Sequence, residues 1–319
     1  MESGTLLNER YRVVREIGKG CFGVVYLAEE VESGELLAVK VLVPWVKHDE
    51  TLQRRLRREA KLARQLQNEH VVRVYDDGTD ADGHSYLVME YLQGRQLNEA
   101  REAAGELSIP RTAAIAKQIL AALQEAHSLG VLHRDLKPSN IFLIDRDGSA
   151  DFVKVFDFGI AKVMRNADVR ASVELTAKGT VLGTPSYMSP EQCAGSELSP
   201  ASDLYSLAIM LYELLTGSLP FSHKNPVQVL MMHSTQPPPP LPLAIASTHL
   251  GKAVMRALAK EPRQRFASAD EFSRAIDGVA IPIAGASPAP VEDVPEPTPR
   301  ETSVFESLMG FFRRKQTGE

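Results

Sequence analysis

The amino-acid sequence predicts an α+β protein, with a small antiparallel sheet and one long helix in the first ninety residues and a mainly helical remainder. Short runs rich in β-branched and aromatic residues before residue 92 predict the strands. Apolar residues at helical spacing in 113–129, and an almost wholly apolar run over 203–215, predict buried helices. With 319 residues, 44% of them hydrophobic and 24% charged, the chain has the composition of a globular protein with a substantial core.

The charge and the cysteine content narrow the functional classes. A formal net charge of −5 gives no indication of nucleic-acid binding. The two cysteines, Cys21 and Cys193, are too few for a disulfide framework and fit a reducing compartment. No basic segment followed by an apolar run begins the sequence, and charges interrupt every apolar stretch before the ~20 residues that a membrane span requires. We therefore expect a cytoplasmic protein without a transmembrane span.

The first strands are expected at Tyr11–Glu16, Phe22–Glu29 and Leu36–Val43. A glycine-rich segment, Gly18-Lys19-Gly20-Cys21-Phe22-Gly23, lies between the first two, and such glycines let a backbone turn sharply and approach a phosphate. The next residues, Val-Val-Tyr-Leu, favour a strand, which indicates a hairpin rather than the strand-to-helix turn of dinucleotide-binding folds. From these residues alone, a phosphate-covering hairpin and an ordinary hairpin are equally open.

A lysine inside the third strand requires an anionic partner. Lys40 lies in an apolar run, where an unpaired ammonium would be costly to bury. The next segment, Asp49–Gln67, has helical spacing, and Glu59 lies on its apolar stripe. We therefore predict that Lys40 and Glu59 form an ion pair. The opposite face of the helix carries Arg54, Arg55, Arg58 and Lys61. We interpret this face as solvated; the alternative is that it binds a phosphorylated loop.

A group of polar residues in the middle of the sequence contains the candidate catalytic and metal-binding residues. Residues 133–140 read His-Arg-Asp-Leu-Lys-Pro-Ser-Asn, and Asp157-Phe158-Gly159 begins seventeen residues after Asn140. The two motifs bring a carboxylate, an amine, an amide and a second carboxylate close together in sequence. Phosphoryl transfer from a metal nucleotide requires that set, to orient a hydroxyl, to neutralise the moving phosphate and to hold Mg²⁺.

The motifs together resemble those of the eukaryotic-type (Hanks-type) serine/threonine protein kinases, in particular the bacterial branch. The resemblance runs from about Tyr11 to Ile276 and implies a bilobal protein kinase fold over residues 11–278, with an N-lobe at 11–92 and a C-lobe at 93–278. It is carried by the glycine-rich segment, Lys40, Glu59, the two motifs above, the block Gly-Thr-Pro-Ser-Tyr-Met-Ser-Pro-Glu at 183–191, Asp203 and Arg265.

The resemblance implies a catalytic role for each of five residues. Asp135 would accept the proton of the substrate hydroxyl, and Lys137 would neutralise the transferring phosphate. Lys40, oriented by Glu59, would hold the α- and β-phosphates. Thr184 would contact the catalytic aspartate and lysine, and this threonine is typical of members that phosphorylate serine and threonine.

The resemblance also implies a nucleotide site, with ATP and Mg²⁺ as cofactors. Asn140 and Asp157 offer the hard oxygen atoms that hold Mg²⁺. Adenine would lie above Phe142, where the family more often has leucine, and beside backbone groups of Glu90 and Leu92. The residues expected to contact the nucleotide are Ile17, Gly18, Lys19, Gly20, Cys21, Phe22, Gly23, Val25, Ala38, Lys40, Met89, Glu90, Leu92 and Phe142.

An activation loop is expected between residues 157 and 191. Arg134, which precedes the catalytic aspartate, implies control by phosphorylation of this loop, because clustered positive charge attracts a dianion. We expect autophosphorylation at Thr176 or Thr180, with ordinary polar loop residues as the alternative interpretation. The candidate acceptors are Ser172, Thr176 and Thr180.

Other matching positions are expected to be structural. Asp203 would begin a buried helix and bond the catalytic-loop backbone, and Glu191 and Arg265 would form a buried ion pair. His133 is interpreted as a structural histidine rather than a base. The five prolines in Gln236–Pro242 predict an irregular surface loop.

The composition changes near residue 279. Prolines, alanines and acidic residues over 279–303 predict a disordered linker. In the tail, 304–319, four large apolar residues share a helical face before three basic residues. A frayed tail is one interpretation, and a short membrane-surface helix or a partner-docking peptide is the other.

The resulting hypothesis is a serine/threonine protein kinase that transfers the γ-phosphate of ATP to protein substrates in bacterial signal transduction. A pseudokinase scaffold is one alternative, disfavoured because every catalytic position inspected is intact. A small-molecule phosphotransferase is the other, and that class lacks the Gly-Thr-Pro-x-Tyr-x-x-Pro-Glu peptide platform. Bacterial relatives often dimerise through the small lobe, so a homodimer through the N-lobe is an open interpretation.

Overall fold

The computed structural model describes residues 1–20, 23–42, 50–158 and 185–278, without the side chains of residues 50–52, 55, 56, 149 and 150. Several sequence predictions lie outside these residues. They concern Cys21, Phe22, Gly159, Thr184, the acceptors Ser172, Thr176 and Thr180, the 279–303 linker and the 304–319 tail.

A six-stranded antiparallel sheet and one long helix form the first lobe, as predicted. The strand order across the sheet is β1-β2-β3-β4-β6-β5. Strand β1 was missed by the sequence analysis, although Leu7 is buried and pairs with Tyr11. The elements are β1 (Leu6–Leu7), β2 (Tyr11–Gly20), β3 (Gly23–Glu30), β4 (Leu36–Leu42), α1 (Glu50–Ala63), β5 (Val74–Thr79) and β6 (Ser85–Glu90).

Alternation along β4 explains why a lysine is buried there. Successive side chains of a strand point to opposite faces of the sheet. Leu37, Val39 and Val41 join the apolar core on one face, whereas Ala38 and Lys40 line the cleft on the other. The buried Lys40 side chain therefore lines the interlobe cleft.

The glycine-rich segment is a hairpin between β2 and β3, which excludes the strand-to-helix turn. Gly20 pairs with Gly23 in the antiparallel register. A Cβ atom on Gly23 would lie 2.1 Å from the Val41 carbonyl oxygen, so β3 can approach β4 only with glycine there. A Cβ atom on Gly20, in contrast, would have no atom of the described residues within 4 Å.

The second lobe combines a three-stranded sheet with helices. No helix among the described residues is long and apolar enough to cross a membrane. Residues 236–242 have no regular secondary structure, which confirms the predicted irregular loop. The elements are β7 (Gly94–Gln96), α2 (Leu97–Ala104), α3 (Ile109–Ser128), β8 (Ile141–Arg146), β9 (Ser149–Val155), α4 (Pro190–Ala194), α5 (Pro200–Thr216), α6 (Pro226–Thr235), α7 (Leu243–Ala246), α8 (His249–Ala257) and α9 (Ala269–Ile276).

Helix α5 is the centre of this lobe, and every residue from 201 to 215 is buried. The predicted start at Asp203 is wrong by three residues. The helix begins at Pro200, because proline suits the first helical position and Ser199 precedes it, with its N–H donating to Ser202 Oγ at 3.2 Å. Asp203 lies in the first turn of the helix, and its side chain bonds to the backbone of residues 133 and 134.

Helix α4 is fixed by a cap and by a buried ion pair. Ser189 caps the helix: its Oγ accepts from the Gln192 N–H, and Gln192 Oε1 accepts from the Ser189 N–H. The predicted pair of Glu191 and Arg265 is confirmed, with two bonds of 2.7 and 2.9 Å. Arg265 also donates to the carbonyl oxygens of residues 201, 259 and 260, so all of its donor atoms are used.

We expect Arg265→Met to lower the free energy of unfolding by about 3–5 kcal/mol, because the change leaves the Glu191 carboxylate buried and uncompensated. Urea denaturation followed by circular dichroism measures it. The matched control is Arg274→Met, which removes a half-exposed pair with Asp270 and should cost about 0.5 kcal/mol or less. Equal effects of the two substitutions would contradict the assignment.

Candidate active site

The catalytic loop is held by one buried carboxylate. Asp203 accepts hydrogen bonds from the backbone N–H groups of His133 at 2.9 Å and Arg134 at 2.8 Å. His127 Nε2 lies 2.8 Å from the same carboxylate. Burial alone would raise the pKa of Asp203, but the bond to His127 and these other contacts outweigh burial and hold the pKa below its ordinary value. The prediction that Asp203 bonds the loop backbone is confirmed.

Arg134 adopts a left-handed backbone conformation, with φ of 69°. Few residues other than glycine adopt this conformation unless their surroundings fix it. Here the Asp203 carboxylate holds the Arg134 N–H, and Gln192 Nε2 donates to its carbonyl oxygen at 2.7 Å. The loop conformation is thus fixed from both α5 and α4.

His133 is fully buried, and its contacts show a structural role. Its Nδ1 accepts from the Asp135 N–H at 3.3 Å, so the ring proton is on Nε2, which donates to the Phe156 carbonyl oxygen at 3.0 Å. Burial lowers the pKa of His133, although nearby carboxylates act in the opposite direction. The neutral His133 ring therefore links two segments of the chain and has a structural role rather than that of a general base.

Two predicted catalytic residues, Asp135 and Lys137, and the predicted metal ligand Asn140 meet at the end of this loop. Lys137 Nζ lies 2.8 Å from Asp135 Oδ2. Asn140 Nδ2 donates to the Asp135 backbone oxygen at 2.7 Å, and this leaves the Asn140 Oδ1 as the atom directed away from the loop. The Phe156 N–H donates to the Asn140 carbonyl oxygen at 3.2 Å, so Asn140 lies next to the segment that carries Asp157.

Asp157 contacts the lysine of strand β4. Both of its carboxylate oxygens lie 2.6 Å from Lys40 Nζ. The predicted Lys40–Glu59 ion pair is therefore not the pairing of this structure, although Glu59 is buried as expected. Asp157, with φ of 66°, turns its side chain into the cleft where β4 presents Lys40.

Helix α1 is shorter than the predicted Asp49–Gln67, because it ends at Ala63. Among its described side chains, Arg54, Arg58 and Lys61 are exposed, which confirms the solvated face for these positions. Ala60 and Ala63 are buried beside Glu59.

A cavity of about 190 Å³ lies next to these groups, between the two lobes. It contains most of the predicted nucleotide contacts, except that Lys19, Gly20 and Gly23 do not line it. Sequence analysis missed Val72, Tyr91, Gln96 and Phe156. The lining residues are Ile17, Gly18, Val25, Ala38, Lys40, Val72, Met89, Glu90, Tyr91, Leu92, Gln96, Phe142, Phe156 and Asp157.

A polar connection joins one edge of this cavity to the second lobe. The Glu90 side chain, at the end of β6, forms an ion pair of 2.5 Å with Lys154 on β9. Both side chains are largely buried. Nothing in the sequence pattern relates these two positions, and only the fold brings them together.

The donor set suits a nucleotide and its magnesium ion. The cavity walls are mainly apolar, as a planar base requires, and one end carries the Lys40 ammonium. Asn140 and Asp157 supply amide and carboxylate oxygens, which are ligands that Mg²⁺ prefers.

Known proteins resemble this chain in sequence and in structure. The family model "Protein kinase domain" matches residues 11–273. The serine/threonine-protein kinase pkn3 of Myxococcus xanthus is 40% identical over 280 residues, which are 86% of this chain and 51% of that protein. PknA of Mycobacterium tuberculosis is 37% identical over 298 residues, or 92% of this chain and 66% of that protein.

The structural comparison agrees. The crystal structure of the Mycobacterium tuberculosis PknI kinase domain has a TM-score of 0.67 and 28% identity, and covers 88% of this chain and 99% of that one. The chain belongs to the protein kinase family, in the bacterial branch of the eukaryotic-type (Hanks-type) serine/threonine kinases, and it has the bilobal α+β fold of that family. It spans about half the length, or less, of its Myxococcus relatives.

We expect the His133 ring to be neutral, with its proton on Nε2, at pH 6.5, where an ordinary histidine is half protonated. The lowered pKa means that the stability contributed by the neutral ring is fully present above pH 6.5 and is lost as the pH falls toward the folded-state pKa. NMR of protein labelled with ¹⁵N-histidine reports both the tautomer and the titration. A His133 ring that is protonated at pH 6.5, or that carries its proton on Nδ1, would contradict the structural role.

Proposed function

We propose that this chain is a serine/threonine protein kinase that uses ATP and Mg²⁺ to phosphorylate protein hydroxyl groups. The observation that carries the proposal is the meeting of Asp135, Lys137 and Asn140 on a loop braced by Asp203, beside a cavity that ends in Lys40 and Asp157. Family membership supports the same activity, and the relatives named above are serine/threonine-protein kinases.

The proposed step is the transfer of one phosphoryl group. The acceptor oxygen forms a bond to the γ-phosphorus, the bond from that phosphorus to the β–γ bridging oxygen breaks, and ADP leaves. Asp135 orients the acceptor hydroxyl and takes its proton, and Lys137, 2.8 Å from Asp135, places a positive charge beside the transferred group. Lys40 holds the non-transferred phosphates. Bound Mg²⁺ would supply charge neutralisation, with Asn140 and Asp157 as its protein ligands.

A protein substrate, rather than a small molecule, is supported by the platform after the loop. Pro185–Tyr187 forms one 3-10 turn beside α4. Tyr187 donates from its hydroxyl to Glu213 Oε2 at 2.6 Å, and Arg101 lies 3.5 Å from the other oxygen of that carboxylate. Burial, together with the Glu213 carboxylate, raises the pKa of Tyr187, so its hydroxyl remains a donor. A rigid surface beside the catalytic loop is what an extended peptide requires.

We expect Asp135→Asn to reduce phosphorylation of a generic protein acceptor such as casein by about 10²–10⁴-fold, because the amide cannot accept the hydroxyl proton. Transfer of ³²P from ATP measures the rate. Nucleotide binding, followed by calorimetry, should change little. Asp145→Asn, at an exposed carboxylate on β8, is the matched control and should retain full activity. Undiminished transfer by Asp135→Asn would reject the assigned role.

We also propose autophosphorylation at Thr176 or Thr180, supported by Arg134, whose main chain is fixed beside the catalytic aspartate. After incubation with Mg-ATP, peptide mass spectrometry should find phosphate on one of the two, and the Thr176→Val/Thr180→Val double variant should lose activity. Ser172→Ala is the control. A fully active sample with both threonines unmodified would reject this regulation.

Two further parts of the proposal concern the location of the enzyme in the cell and its oligomeric state. We place it in the cytoplasm, which two cysteines and the family's ATP-dependent chemistry support. Homodimerisation through the small lobe rests on resemblance alone, and light scattering of the purified chain at several concentrations tests it.

A further inference from the structure

A buried histidine lies beneath the surface on which the acceptor peptide is proposed to lie. His233 is fully buried and belongs to helix α6, which packs against α4 and against the Pro185–Tyr187 turn. An imidazole is costly to bury unless its two nitrogen atoms find partners. The surroundings of each nitrogen of His233 therefore indicate what the ring does.

Two aromatic neighbours fix the position of the His233 ring. Its centroid lies 4.9 Å from that of Phe221 and 5.8 Å from that of Tyr205, with interplanar angles of 66° and 64°. Both neighbours are buried, and edge-to-face packing of this kind is favourable. A rotation of the His233 ring would disturb these contacts with the core of the second lobe.

A chain of hydrogen bonds determines which nitrogen of His233 carries the proton. As an ammonium, Lys260 Nζ can only donate, and it lies 3.4 Å from the Tyr205 hydroxyl oxygen. That hydroxyl in turn lies 3.0 Å from His233 Nδ1. Because the hydroxyl oxygen accepts from the lysine, its own proton is directed to Nδ1, which is then the unprotonated nitrogen of a neutral ring. The ring proton is therefore on Nε2.

The Nε2–H of His233 faces the backbone of the Pro185–Tyr187 turn. Nε2 is buried and forms no well-aligned hydrogen bond with the described residues. Burial, and next the Lys260 charge, lower the pKa of His233 to about 4, whereas the Ser186 backbone acts in the opposite direction. A backbone group that favours the protonated ring is an acceptor, so Nε2–H approaches the Ser186 carbonyl oxygen. Hydrogen bonds that are poorly aligned without substrate often tighten when the substrate binds.

We propose that His233 is a positioning residue for the protein substrate, because its Nε2–H bonds the Ser186 carbonyl oxygen and holds the Pro185–Tyr187 turn in the conformation that receives the acceptor peptide. One end of this turn is already fixed, since the Tyr187 hydroxyl donates to Glu213 at 2.6 Å. His233 fixes the middle of the turn. The inference rests on the proposed function and deepens it.

Two substitutions separate the roles of the two ring nitrogens. In His233→Asn, the amide can take the position of Nδ1 and keep the contact with Tyr205, but nothing replaces the Nε2–H. In His233→Gln, the longer side chain can place its amide N–H at the position of Nε2 and keep the contact with Ser186. Both substitutions remove the ring from its aromatic neighbours, so a role confined to packing predicts the same effect for the two variants.

The experiment measures steady-state phosphorylation of casein by the full chain, with casein and Mg-ATP varied in turn, at a temperature at which circular dichroism shows each variant to be folded. His233→Asn should raise the KM for casein about three- to tenfold, as expected for the loss of one neutral hydrogen bond, and leave the KM for ATP unchanged. His233→Gln should return the KM for casein to within about twofold of the wild-type value, because it restores that bond.

Each outcome bears on a distinct claim. Wild-type protein that transfers no phosphate to casein would overturn the proposed function itself. An active wild-type protein with an unchanged KM for casein in His233→Asn, equal effects of the two substitutions, or a parallel rise in the KM for ATP would overturn this inference alone. If His233→Asn does not fold, His233→Phe, which keeps a ring beside Phe221 and lacks the Nε2–H, replaces it, and the same comparison with His233→Gln decides.

Discussion

The buried carboxylate of Asp203 is the interaction on which the catalytic loop depends. A charge with almost no solvent exposure is costly unless hydrogen bonds compensate for it, and here two backbone N–H groups and His127 do so. Since Asp203 belongs to a helix whose residues 201–215 are all buried, the loop is fixed to the core of the large lobe. The left-handed backbone of Arg134 is maintained by the same bonds.

Residues 153–157 connect this fixed loop to the small lobe. The Val155 N–H donates to the His70 carbonyl oxygen at 2.7 Å, and the Val155 carbonyl oxygen accepts from Val72 at 2.8 Å. Within the same short segment, Lys154 pairs with Glu90, and Asp157 pairs with Lys40. Every residue from 154 to 157 thus contacts the small lobe, and Phe156 bonds to the catalytic loop as well. The position of the nucleotide cavity relative to the catalytic groups follows from this arrangement.

The predictions that relied on local sequence patterns or on the family resemblance were largely confirmed for the fold. The apolar run around Lys40 predicted a buried lysine with an anionic partner, and the Glu191–Arg265 pair was expected from the family resemblance. The failures have a common cause. The partner of Lys40, the Glu90–Lys154 pair and the contribution of Phe156 to the cavity all depend on which distant segments meet, and periodicity carries no information about that. The start of α5 was missed for a different reason, since the Ser199-Pro200 signal was overlooked in favour of the apolar run.

The Lys40–Asp157 pair has a thermodynamic consequence for whatever enters the cleft. The two groups are held in an environment where a lone charge is expensive, so neither can give up its partner unless both are compensated at once. An anion alone would pair with the Lys40 ammonium and leave the Asp157 carboxylate uncompensated. A cation alone would do the reverse. The cleft therefore favours a ligand that carries a negative and a positive charge side by side. Binding of either charged part is then cooperative with binding of the other.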